Sequence, residues 1–84
     1  MAETTTLDAI EEGLIEALAT MGPERDQITR EATFEELDID SLDLVELLQI
    51  AEERYGVQLN PDEAKDIKTV GAAIDLVASR ARAA

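Results

Sequence analysis

The chain has 84 residues, of which 45% are apolar and 32% charged, and its net charge is −13 from 20 acids and seven bases. This length points to one domain over residues 1–84. The acidity argues against a nucleic-acid partner, because phosphates are met by Lys and Arg. Cysteine and histidine are both absent, which removes disulfides, thiol nucleophiles, Ser-His pairs and nearly every zinc site.

Phe34 and Tyr55 are the only aromatic residues, so the core must be aliphatic. Charge this high raises the question of disorder, but the apolar content and its clear periodicity point to a folded chain. No apolar run approaches the ~18 residues of a membrane span. The N-terminal MAETTTLDAIEEG has neither a basic start nor a long apolar block, so no signal peptide is expected. With no cysteine, a reducing cytoplasmic setting is the expectation.

The first helix is expected from about Leu7 to Met21, with Leu7, Ile10, Leu14, Leu18 and Met21 on one face. Thr5 with Asp8 three residues on reads as its cap, and Gly22-Pro23 as its end. Pro23 to Asp40 has no sustained period. Ile28, Phe34, Leu37 and Ile39 are scattered there and could pin this long connection to a core, and Thr33 with Glu36 reads as a capping box for one short turn.

A second helix is expected from Leu42 to Arg54 or Tyr55, with Leu44, Leu47, Leu48, Ala51 and Tyr55 in one stripe and Gly56 as its end. Its opposite face carries Leu42, Glu46, Gln49 and Glu53, with Val45 and Glu52 on one flank and Asp43 and Ile50 on the other. Asn60-Pro61-Asp62-Glu63 starts a short helix that ends before Lys68. Thr69 caps a last helix with Val70, Ala73, Ile74, Val77 and Ala81 on one face, and Arg80 and Arg82 near its C-terminal dipole. The fold class is all-α: an antiparallel bundle of three longer helices and a short one, with a long first loop.

Ser41 has no base to activate it, so an enzyme is not expected. Asp38-Ile39-Asp40 begins like an EF-hand loop, but Leu42, Asp43 and Gln49 stand where a ligand, the turn glycine and the bidentate glutamate belong. A serine just before a helix is ordinarily a cap. Asp40, with Asp43 three residues on, can serve equally and would leave the Ser41 hydroxyl exposed. Nine acids and no Lys or Arg lie between Glu31 and Glu53. Leu42 and Val45 sit beside Ser41, away from the core stripe. They either pack against the connection or form a small apolar patch at a docking surface.

Leu37-Asp38-Ile39-Asp40-Ser41-Leu42, followed by DLVELLQIAEERYGVQL, resembles the acyl carrier proteins. The likeness extends to the first helix, the long connection with Ile28 and Phe34, the NPDEA helix and the TVGAAIDLV helix. One position departs: the family often has glycine where Asp38 stands, a residue that eases a turn, so the local backbone there is an open question.

The resemblance implies that Ser41 carries 4'-phosphopantetheine, added from coenzyme A by a phosphopantetheinyl transferase. Acyl groups would then be held as thioesters and presented to acyltransferase, ketosynthase and other synthase enzymes. It also implies a free-standing, monomeric carrier of fatty-acid or type II polyketide synthesis. Asp40, Asp43, Glu46 and Glu53 would meet basic patches of those enzymes, and Leu42 and Val45 would add apolar fit. Two alternatives remain: an aminoacyl or peptidyl carrier, which typically has a Gly-Gly pair before the serine, and an acidic interaction module with Ser41 bare.

Overall fold

A computed structural model gives the structure of residues 7–83. The proposed Thr5 cap lies outside the described residues, as do the side chains of Leu7 and Arg82. The apolar spacing becomes three helices: α1 (Leu7–Ala19), α2 (Ser41–Tyr55) and α3 (Val70–Ala83). There is no β-strand among the described residues, only an isolated antiparallel bridge between Thr33 and Thr69.

Each stripe faces the common core. Ile10, Leu14 and Leu18 of α1 meet Leu44, Leu47, Leu48 and Ala51 of α2 and Val70, Ala73, Ile74 and Val77 of α3 in one buried cluster. Ala78, outside the expected α3 face, is buried as well. No polar or charged residue is buried among the described ones. The core is therefore held by aliphatic packing with Phe34 as its one buried aromatic side chain, and no internal ion pair contributes.

Helix ends follow their local chemistry. α1 stops at Ala19, two residues short of the expected Met21. The Thr20 hydroxyl donates to the Ala17 carbonyl at 2.6 Å and the Met21 amide to Leu18 at 2.9 Å, so the last turn tightens into i→i+3 bonds. α2 ends at Gly56, whose φ of 67° is the left-handed cap that glycine adopts freely. At α3 the Thr69 hydroxyl accepts from the Ala72 amide at 3.1 Å, as a cap should.

The short helix Pro61–Asp66 is a 3-10 helix. Asn60 accepts from Asp62, and Glu63 accepts from the Asn60 amide at 3.1 Å. A further 3-10 turn, Arg25–Gln27, lies in the long connection. Its signal was Glu24 with Gln27 three residues on, whose side chain accepts from the Glu24 amide at 3.3 Å.

α1 packs against both α2 and α3, and the 3-10 helix covers α2. The long connection is tied down by Ile28, Phe34, Leu37 and Ile39, all buried, and by backbone bonds to the start of α3. The Phe34 amide donates to Lys68 at 3.0 Å, Val70 to Ala32 at 3.0 Å and Gly71 to Arg30 at 2.9 Å. Close approach also matters where α1 meets α2. A Cβ at Gly13 would collide with the Tyr55 hydroxyl, which donates to the Ala9 carbonyl at 3.3 Å.

Arginines staple these elements. Arg25 pairs with Glu12, Arg54 donates to the Gly13 carbonyl at 3.3 Å, and Arg30 reaches Asp75 at 2.8 Å and Glu11 at 3.5 Å. The hydrogen bond to Asp75 is the main reason the Arg30 guanidinium is pushed above its ordinary value. Arg80 leaves the C-terminal end of α3 to bind the Gln58 carbonyl at 3.1 Å and the Glu63 carboxylate.

That bond from Arg80, helped by the Asn60 amide, holds Glu63 below the usual carboxylate value. A depressed acid stabilises the fold above its unfolded pKa, and the gain is lost as pH falls through the folded one. Glu63→Gln should therefore unfold at lower urea than wild type at pH 7. The gap should narrow as pH falls past the unfolded glutamate value of about 4.3 and close only below the lower folded one, and urea titrations at several pH values test this.

Candidate functional site

The residues before Ser41 form one helical turn with a defined start and end. Thr33 and Glu36 cap each other: the Glu36 amide donates to the Thr33 hydroxyl and the Thr33 amide to the Glu36 carboxylate, both at 3.0 Å. At the other end the Ile39 amide donates to Phe34 at 2.9 Å and the Asp38 amide to Glu35 at 3.1 Å. These two bonds form a Schellman motif with Asp38 in the left-handed position and the buried pair Phe34 and Ile39 as its apolar clasp.

Asp38 has φ of 59°, the only positive φ outside glycine among the described residues. The backbone thus keeps the turn that glycine would ease, at a conformational cost that aspartate tolerates better than most residues. Asp38→Gly removes this cost and one charge from an acidic loop. It should raise stability by about 0.5–1 kcal/mol, read as a higher urea midpoint.

From Ile39 the chain enters α2 through Asp40, which is extended with φ of −89° and ψ of −176°. Its carboxylate accepts from the Asp43 amide at 2.9 Å. Asp40 is therefore the cap, and the choice left open between Asp40 and Ser41 is settled in its favour. Ser41 is the first residue of α2 and is exposed, and its hydroxyl has no hydrogen-bond partner among the described residues.

The other expected partner-binding residues also lie on or next to α2. Leu42 is 79% exposed, the one large apolar side chain so open among the described residues, and does not pack on the connection. Asp43 and Val45 are half-buried, and Asp40, Glu46 and Glu53 are exposed. Val45 borders a small hollow with Leu48, Gln49, Glu52 and Leu59. Glu52 is engaged there: its carboxylate accepts from the Leu59 amide at 2.8 Å. Leu42, Glu46 and Glu53 share the outer face of α2, and Asp43 lies to its side.

A cleft of about 310 Å³ opens beside Ser41. Phe34, Ile39, Leu44, Ala64 and Ile67 give it apolar walls, and Glu35 and Asp40 lie on it together with Lys65 and Lys68. The two lysines were missed in the sequence. Their only signal there was that they are the sole lysines of the chain, three residues apart in AKDIK. Nothing local tied them to Ser41, 24 and 27 residues away.

A phosphate group on Ser41 fits what is present. The hydroxyl is open, the N-terminal dipole of a 15-residue helix favours an anion, and the cleft leaves room beside it. Asp38, Asp40 and Asp43 oppose a tight grip by like charge.

The family model described as "Phosphopantetheine attachment site" matches residues 8–77. An acyl carrier protein of Rubrobacter xylanophilus is 45% identical over 58 residues, 68% of this chain and 72% of that protein. One from Acidothermus cellulolyticus is 49% identical over 45 residues, which span only 54% of each. In structure, an acyl carrier protein from Thermotoga maritima superposes with a TM-score of 0.79 at 26% identity over 92% of both chains. The 3-oxo-butyl form of the acyl carrier protein from the actinorhodin polyketide synthase of Streptomyces coelicolor matches with a TM-score of 0.75. It is 30% identical and covers 100% of this chain and 99% of that one. With the model spanning 8–77 and these likenesses in both sequence and fold, the chain belongs to the acyl carrier protein family, whose members bear covalently attached 4'-phosphopantetheine.

Proposed function

We propose that Ser41 is the attachment point of 4'-phosphopantetheine, and that the chain carries acyl groups between separate synthase enzymes. One observation carries this reading: the only serine in the Asp-Ser-Leu turn is exposed at the start of α2, and its neighbour Asp40 does the capping. The arm supplies a thiol that holds the acyl group as a thioester, which accounts for a chain with no cysteine, no histidine and no activated serine. Catalysis belongs to the partners: the transferase that installs the arm, and the acyltransferase and ketosynthase that load and use it.

Asp40, Asp43, Glu46 and Glu53 are proposed to meet basic patches on those enzymes, with Leu42 and Val45 adding apolar fit. Exposed ion pairs contribute about 0–1 kcal/mol each, so docking is fast, weak and salt-sensitive. The carrier acts as a monomer in the cytoplasm, consistent with its high charge and lack of cysteine. No helix among the described residues is long and apolar enough to cross a membrane. The pathway is fatty-acid or polyketide synthesis, and the likeness to the actinorhodin synthase carrier favours the second.

Intact mass after incubation with coenzyme A and a broadly tolerant phosphopantetheinyl transferase tests the reading. One added phosphopantetheine supports it. No gain would leave an acidic interaction module.

A further inference from the structure

Among the described side chains, the bases divide into two groups. Arg25, Arg30, Arg54 and Arg80 are each bonded to a carboxylate or a carbonyl of another element, so they serve the fold. The two lysines do not. Lys68 is exposed and has no ion-pair partner among the described residues. Lys65 is 81% exposed and pairs, among the described residues, only with Asp62, at 3.8 Å on its own 3-10 helix.

Both lysines line the cleft that Ser41 lines. In a chain with 20 acids and seven bases, this cleft has two acids and two lysines. Glu35 and Asp40 come from the segment leading into α2, whereas Lys65 and Lys68 come from the 3-10 helix and the residues just after it. An anion tethered at Ser41 is repelled by the first pair and drawn to the second. The amines can reach it because their stems are flexible and no staple holds them.

We propose that Lys65 and Lys68 form a cationic rim that receives an anionic oxygen group delivered through Ser41. This rests on Ser41 bearing the arm. Two sources share that chemistry: the phosphodiester of the arm itself, and the terminal carboxylate of a dicarboxylic acyl group carried on it. On one side of the cleft the rim offsets the negative charge of Asp38, Asp40 and Asp43 near the attachment point. It gives the cleft a preference for acidic or oxygen-rich cargo over a plain alkyl chain.

The test uses the fact that these are the only lysines in the chain. Amine-selective reductive methylation is followed by peptide mass spectrometry on four forms: unmodified, arm-bearing, acetyl-loaded and malonyl-loaded. Ion pairing at an exposed lysine should slow its labelling by about twofold to fivefold, and 0.5 M sodium chloride should remove the effect. Protection already present in the arm-bearing form assigns the phosphodiester. Protection that appears with malonyl but not acetyl assigns the carboxylate.

Equal labelling in all four forms, with the added mass verified, overturns the rim and leaves Ser41 as the attachment point. Failure to gain the arm overturns both. As a second readout, the phosphodiester 31P resonance or the malonyl carboxylate 13C resonance should move in Lys65→Gln/Lys68→Gln. Both positions are exposed, so the variant keeps the fold.

Discussion

Ser41→Ala should take up no phosphopantetheine and should melt at the wild-type temperature. The two halves of this result depend on different atoms. The hydroxyl is the proposed nucleophile toward coenzyme A, so its removal takes the added mass from one per chain to none. Stability is untouched because the cap of α2 is the Asp40 carboxylate, 2.9 Å from the Asp43 amide, and the serine hydroxyl has no bond among the described residues. Asp40→Ala is the complementary experiment. It should lose about 0.5–2 kcal/mol of stability, the usual cost of an N-cap, and still reach one arm per chain, more slowly because one docking charge is gone. Intact mass and urea unfolding of the two variants separate cap from attachment point. If Ser41→Ala lost stability and Asp40→Ala did not, the assignment of the cap would be wrong.

The second large effect is a contrast between two leucines on the same helix. Leu47 has no exposed surface, whereas Leu42 is 79% exposed. Truncating a fully buried leucine leaves a cavity in a close-packed core and costs about 2–5 kcal/mol. A domain of this size has about 4–13 kcal/mol in total by the usual ~0.05–0.15 kcal/mol per residue. Leu47→Ala should therefore lower the melting temperature by more than about 10 °C. Leu42→Ala should change stability by less than about 0.5 kcal/mol and instead slow loading by partner enzymes. Equal stability losses in the two variants would mean that Leu42 packs against the protein after all.

Asp38 shows how far a local signal reaches. Its place before Ile39 and after a Thr33–Glu36 box already implied a single capped turn, and the Schellman bonds complete it. What could not be read was whether aspartate would hold the left-handed conformation. The buried pair Phe34 and Ile39 decides that, because releasing the turn would expose both. Phe34 is in turn fixed from outside the segment, by the Lys68 carbonyl.

The sequence alone determined the three helices, their buried stripes, most of their caps and the exposed serine between two aspartates. All of these depend on residues three or four apart, where helical geometry leaves little choice. It misplaced the end of α1 by two residues, because Thr20 and Met21 bond back into a tighter turn that apolar spacing does not report. Only the tertiary structure decided which charges are available. It turned Glu52 toward Leu59, committed Arg30 and Arg80 to other elements, and brought Lys65 and Lys68 to the cleft at Ser41. Those meetings span seven to 45 residues of chain. They follow from how the long connection and the 3-10 helix close over the aliphatic core, a result no short window of sequence contains.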